Sequence, residues 1–343
     1  MSRRSLTLAI AGLVTVAAIA VAVLFPVPYV ILTPGPTLNT LGAQSGKPLI
    51  SITGRQTYPT SGHLNMVTIS YEGGPGANLN IFQAVRAWLD PSEAVVPESE
   101  LFPAGQTAQQ TQAQDTEQMA SSQELATAAA LTQLHISYQT QVEVVSTVAG
   151  YPASKYLKAG DIIEAVDGKP VTGDTSLSSM ITAHPVGTTF QVEVLRAGKT
   201  LTFPIASKSS SGTAVIGVQV QEQYKFPFNV NITVGNIGGP SAGMMFALGI
   251  INKITTLNLT GGKFIAGTGE ITASGQVEPI GGIQQKMVAA RDAGATVFLA
   301  PAGNCSDTVG AVPAGLKVVK VSTLSGAVSD LEAIKAGKPV PAC

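Results

Sequence analysis

Histidine is scarce in this chain. Its three copies, His63, His135 and His184, all precede Ser241, which sits in a glycine-rich turn. Gly239-Pro-Ser-Ala-Gly243 fits the G-x-S-x-G elbow, but that triad runs serine, acid, histidine, so the order here excludes it. No lysine has a serine three residues before it, which removes the S-x-x-K type of serine site. No His-Glu-x-x-His and no cysteine cluster occurs, so neither a metal site nor a cofactor is indicated. The lone G-K-T, Gly198-Lys-Thr200, has Glu193 where a phosphate-binding loop needs glycine, which argues against ATP-driven unfolding by this chain. Charged residues make up only 12% and the net charge is −1, so no basic patch points to nucleic acid.

Charge is absent altogether from Ser5 to Gly46. Within that gap Leu6–Phe25 is an unbroken apolar run, roughly 30 Å long as a helix and so able to span a bilayer. Arg3 and Arg4 before it predict a single-pass protein with residues 1–5 in the cytoplasm and the remainder outside. A cleaved signal peptide is the rival, with Ala18-Ile-Ala20 as its small-residue site, although that site lies inside the apolar run. The prolines of PVPYVILTPGP (26–36) then lead the chain away in extended form. The only cysteines are Cys305 and Cys343, and outside the membrane an even pair favours a disulfide over free thiols.

What the chain does have is Asn236 to Lys286, opening NIGGPSAGMMFALG and closing GTGEITASGQVEPIGGIQQKM. Gly238-Gly-Pro240 predicts a sharp turn with Pro240 as a first helical residue, followed by an almost wholly apolar and therefore buried helix. Ser241 is expected at that helix start, where the backbone N–H groups of Gly239 or Ser241 can face a developing oxyanion. A serine hydroxyl needs a neighbour to take its proton. The best-placed candidate is Lys286, on a helix that turns Ile283, Met287 and Ala290 inward and Gln284, Gln285, Arg291 and Asp292 to water. On an apolar face the ammonium is costly, so its pKa falls and the amine becomes a base. Each residue alone has a plainer role: a capping serine, or a lysine that snorkels to solvent.

Gly238-Gly-Pro-Ser-Ala-Gly243, Gly267-Thr-Gly-Glu-Ile-Thr272, then Val277-x-Pro-Ile-Gly-Gly-Ile-x-x-Lys286 and Ala293-Gly294 together resemble the proteolytic domain of the Lon family. The resemblance continues through strands 296–301 and 317–323 and a helix near 327–334. It implies a serine peptidase with a Ser–Lys dyad: Ser241 the nucleophile, Lys286 the base, Thr268 the hydroxyl that orients the lysine. It also implies a homo-oligomeric ring, expected to hold six protease domains. Where bacterial members often carry histidines before the serine, this chain has Asn229-Val-Asn231.

Residues 49–54 and 63–71 read as strands, and the spacing of Ile81, Ala84, Val85 and Leu89 as a helix. The Gln- and Thr-rich run 106–116 is the exposed start of a helix or a linker, and helical spacing holds from Glu117 to about Leu134. HLNMVTIS with EQMASSQELATAAAL resembles the opening of the Lon-type fold, so the protease domain is expected to start before residue 135 and be interrupted. The interruption, 142–148, Tyr156-Leu-Lys-Ala-Gly-Asp-Ile-Ile163, Asp167-Gly168, helix 176–184 and strands 190–196 and 199–206, resembles a bacterial PDZ domain. That implies peptide capture by strand addition, for substrate recognition or gating of the protease; no clear carboxylate-binding glycine loop is evident, and a purely structural insert is the alternative.

The expected architecture is α+β: a transmembrane helix 6–25, protease-domain elements in 26–134, a PDZ insert at 135–207, and the Lon-type domain at 208–343. The expected function is an extracytoplasmic, membrane-anchored, ATP-independent serine endopeptidase acting on unfolded or flexible proteins and peptides. The alternatives are a non-catalytic PDZ scaffold that keeps the fold and, more remotely, a Ser–Lys signal peptidase.

Overall fold

The computed structural model describes residues 3–44 and 46–343; Met1 and Ser2, from the expected cytoplasmic tail, and Ser45 lie outside the described residues. Helix α1 spans Arg3–Leu24. Its stretch Arg4–Val23 has a mean hydropathy of 2.6 and is 0% buried. By length and composition it can cross a bilayer, a test that a signal sequence also passes.

The chain continues through β1 (Tyr29–Asn39), β2 (Ile50–Thr53), β3 (His63–Gly73), α2 (Ile81–Leu89), β4 (Ala94–Pro97) and α3 (Ala108–Gln133). The Gln-rich run belongs to α3. Thr107 caps it, accepting from the Gln110 N–H while Gln110 Oε1 accepts from the Thr107 N–H, which satisfies two orphan donors at once.

By its internal contacts the chain forms two units, one of residues up to Ile136 and from Phe228 onward, the other Ser137–Pro227. The smaller contains β5 (Gln139–Thr147), β6 (Ile162–Val166), α4 (Asp174–Thr182), β7 (Thr189–Arg196), β8 (Lys199–Ala206) and β9 (Val218–Lys225). Its sheet runs β8-β7-β6-β5-β9, every pair antiparallel. Residues 208–227, expected at the start of the proteolytic domain, contribute β9, which pairs with β5 along its whole length and makes its internal contacts with this unit. Val142, Val144, Phe190, Val192, Val194 and Ile205 fill the core from alternate positions. Asp161, buried beside that core, is held by Arg196 through two bonds of 2.6 Å.

The larger unit resumes with β10 (Asn229–Ile232), α5 (Gly243–Ile254), β11 (Phe264–Gly267), α6 (Ile283–Asp292), β12 (Val297–Pro301), β13 (Lys317–Val321) and α7 (Leu324–Lys335). Its main sheet is ordered β13-β12-β11-β3-β1-β4. The first four strands are parallel, whereas β3–β1 and β1–β4 are antiparallel. The mixed α+β class is thus observed. Helix α5 is buried all round, as its apolar sequence demands, and packs against the alanine-rich second half of α3. β3 runs on beyond β11, whose register ends at Gly267↔Met66. Thr268 follows at the carboxyl end of β11, the end of a parallel strand where sites commonly form.

Candidate active site

The serine turn is fastened from two sides. Gly239 takes φ +84, a left-handed conformation that favours glycine, and donates its N–H to the carbonyl of Asp115 on α3 at 2.9 Å. Ser122, about two turns along α3 from Asp115, donates its hydroxyl to the Pro240 carbonyl at 2.9 Å. From the sheet side, the carbonyl of Ser241 accepts from Gly269 N at 2.8 Å and from Thr268 Oγ1 at 2.9 Å. That carbonyl cannot also open an i→i+4 ladder, so α5 begins at Gly243 and not at Pro240, and Ser241 stands in the turn before it. The same bonding removes Gly239 from the expected oxyanion donors, because its N–H is already given to Asp115. The Ser241 N–H makes no hydrogen bond found among the described residues and stays available.

Lys286 enters through a second glycine-dependent turn. Gly282 takes φ +67 immediately before α6, within reach of Ile69 on β3, and the helix then lies on β1 and β3. This seat buries Ile283, Lys286, Met287 and Ala290, and also Gln285, which the helical spacing had turned to water. The helix rests on the sheet along a broad face, so a polar neighbour of Lys286 goes inside with it.

Lys286 is 3% exposed, and its Nζ lies 3.0 Å from Ser241 Oγ and 3.2 Å from Thr268 Oγ1. Burial lowers its pKa from 10.5 to about 8, partly opposed by the carboxylate of Glu270. Burial in turn raises the Glu270 pKa. As an ammonium Lys286 donates to both hydroxyl oxygens. Thr268 has committed its own proton to the Ser241 carbonyl, so the free amine keeps its lone pair for the Ser241 hydroxyl. The structure therefore brings Ser241, Thr268 and Lys286 together. Asp115, Ser122 and Glu270 were not foreseen, because nothing in their spacing ties them to the serine.

Ser241, Glu270 and Lys286 line a cleft of about 460 Å³ in the larger unit, walled by Thr68–Tyr71 of β3, Asn236–Ala242, Ile280 and Gly281. Asp115 shares it, with its pKa raised by burial. None of the three histidines is among the lining residues; His63 stacks on Phe264 instead. The Ile280 wall is fixed by Asn304, whose Oδ1 accepts from Ile280 N at 2.8 Å and whose Nδ2 donates to Ile280 O at 2.9 Å. Next to Asn304, Cys305 is disulfide-bonded to Cys343, and the tail pairs with β13 through Lys320 N to Pro341 O at 3.1 Å.

The smaller unit holds its own groove, about 180 Å³, between Leu177 and Ile181 of α4 and Ile216, Val218 and Val220. β9 ends the sheet path there, so one edge of it is open to a further strand. Val215-Ile-Gly-Val218, with Gly217 at φ +79, is part of the lining of this groove.

Residues 210–331 match the family model of the Lon protease (S16) C-terminal proteolytic domain, and residues 112–206 match that of the PDZ domain. Lon protease 1 of Bacillus subtilis (strain 168) is 32% identical over 99 residues, 28% of this chain and 12% of that protein. The Lon protease of Roseiflexus castenholzii is 44% identical over 69 residues, 20% of this chain and 8% of that protein. The chain thus covers about an eighth or less of these relatives' own length. Among solved structures, the PDZ domain of an SdrC-like protein from Listeria monocytogenes is 27% identical, with a TM-score of 0.22 over 23% of this chain and 85% of that one. One segment of this chain is thus similar to the Lon proteolytic domain and another to the PDZ domain.

Proposed function

We propose that the protein is a membrane-anchored serine endopeptidase that works without ATP and uses a Ser241–Lys286 dyad. The observation that carries this reading is a buried amine, with its pKa brought to about 8, at 3.0 Å from the hydroxyl of a serine in a cleft. Lys286 as free amine takes the Ser241 proton while Oγ bonds to the scissile carbonyl carbon. The negative oxygen so formed is met by the Ser241 N–H, the unengaged amide of the turn. The Lys286 ammonium then gives its proton to the departing peptide nitrogen as the C–N bond breaks. Water, losing a proton to the same amine, attacks the acyl ester, and the proton returns to Ser241 as the acid leaves. Thr268 holds both the serine carbonyl and the lysine nitrogen, so it orients the pair without exchanging protons.

Substrates under this reading are unfolded or flexible proteins and peptides, since the sequence has no phosphate-binding loop to drive unfolding. The groove of the smaller unit would take an extended peptide along the open edge of β9. α1 would anchor the chain with Arg3 and Arg4 toward the cytoplasm and the cleft outside, and ring assembly belongs to the same proposal. The test is cleavage of an unfolded casein-type substrate by the full chain and by Ser241→Ala. The variant is expected to fold and to lose cleavage and fluorophosphonate labelling together; a variant that still cleaves overturns the proposal.

A further inference from the structure

Helix α2 is built inside out for a surface helix. Its small residues Ala84 and Ala87 face the core, at 6% and 0% exposure, against Ile31 and Leu79. Its large apolar residues face outward: Ile81, Phe82, Val85, Trp88 at 78% and Leu89 at 75%. These recur at three- and four-residue spacing and form one stripe along the helix. Isolated exposed apolar residues need no explanation, whereas a contiguous stripe ending in tryptophan marks an interaction surface.

The occupant is indicated by where α2 is fastened. The chain leaves α1 at Leu24, passes exposed Phe25, and at once bonds to the start of α2: Pro26 bridges Asn80, and Val27 N donates to Leu79 O at 2.8 Å. A capping box at Asn80 and Gln83, both bonds 3.0 Å, holds the first turn of α2 rigid at that junction. Arg86 is drawn to Glu93 at 3.1 Å, leaving the stripe itself uncharged. A short helix pinned where an apolar helix ends, with Phe, Trp and Leu outward, has the composition of an interfacial membrane helix.

We infer that α2 docks on the lipid surface of the same bilayer that α1 enters, with Trp88, Leu89, Phe82 and Val85 among the headgroups and outer acyl carbons. This rests on the membrane-anchored reading of α1. The tether then has two points, a spanning helix and an interfacial one, and the proteolytic unit is held at a fixed height and not swung on a flexible stalk.

Trp88 is the only tryptophan in the chain, so intrinsic fluorescence reports on α2 alone. The full chain is reconstituted into phosphatidylcholine–phosphatidylglycerol vesicles, with and without brominated acyl chains, and floated on a density gradient. The expected result is flotation, several-fold quenching of Trp88 by brominated lipid, and protection from aqueous iodide. Phe82→Asp with Leu89→Asp should still float and still label at Ser241, while Trp88 loses lipid quenching and becomes open to iodide. A chain that floats with Trp88 open to iodide and untouched by brominated lipid overturns the inference and leaves the α1 anchor standing. Shielding that ignores brominated lipid and disappears as protein is diluted into excess lipid overturns it in favour of a second copy of this chain. A chain that does not float overturns the anchor and this inference with it.

Discussion

Lys286 is kept where a charged group is expensive, and the cost can be measured. The unfolded lysine titrates near 10.5 and the folded one near 8. Below pH 8 both states are protonated and the native state bears the whole penalty, about 3 kcal/mol. Between pH 8 and 10.5 the native state has released its proton and the unfolded chain has not, so stability rises with pH. Lys286→Met, which keeps the bulk without the charge, should therefore abolish cleavage yet raise the melting temperature at pH 7. The gain of about 3 kcal/mol is offset by about 1 kcal/mol for each hydrogen bond lost, and it should shrink as pH approaches 10; calorimetry across pH checks the trend. Glu270 opposes the fall in the lysine's pKa, so Glu270→Gln should move the rising limb of the pH–rate curve to lower pH. Thr268→Val should lower turnover by about 10- to 100-fold through misplacement of the pair, and Thr268→Ser should restore most of it.

At the scale of elements, α5 and α6 were legible because apolar spacing and glycine turns are local signals, and so were α2, the later part of α3 and the strands β2, β3, β5, β7, β8, β12 and β13, whereas β4, β9 and β11 were not read as strands. The misreadings were all non-local. α5 starts three residues late because Thr268 and Gly269, more than twenty-five residues on, take the Ser241 carbonyl. β9 was not read as a strand, because the partner that defines it, β5, lies far back in the chain. Gln285 is inside because α6 lies along the sheet, which no helical wheel reveals. The disulfide closes a separation of 38 residues, and Cys343→Ser should cost about 2–4 kcal/mol by freeing the unfolded chain and the tail along β13. Denaturant midpoints with and without reductant should show that loss in the parent chain and no further effect of reductant in the variant. In the smaller unit, Arg196→Ala leaves Asp161 buried and unpaired, and should cost about 3 kcal/mol where an exposed pair would cost less than 1.

At the scale of the whole molecule, the account assigns distinct work to distinct parts: α1 and α2 to the bilayer, the smaller unit to an extended peptide, the larger unit to bond cleavage. Bond cleavage depends on a neutral amine activating one hydroxyl. The most direct measurement is the rate of Ser241 phosphonylation by a fluorophosphonate, followed from pH 6 to pH 10 in the full chain and in Lys286→Arg. The parent rate should climb through about pH 8 and level off, as the amine loses its proton. Arginine, protonated throughout that range, should leave Ser241 unreactive at every pH. Phosphonylation that ignores pH, or that survives intact in Lys286→Arg, would contradict the account.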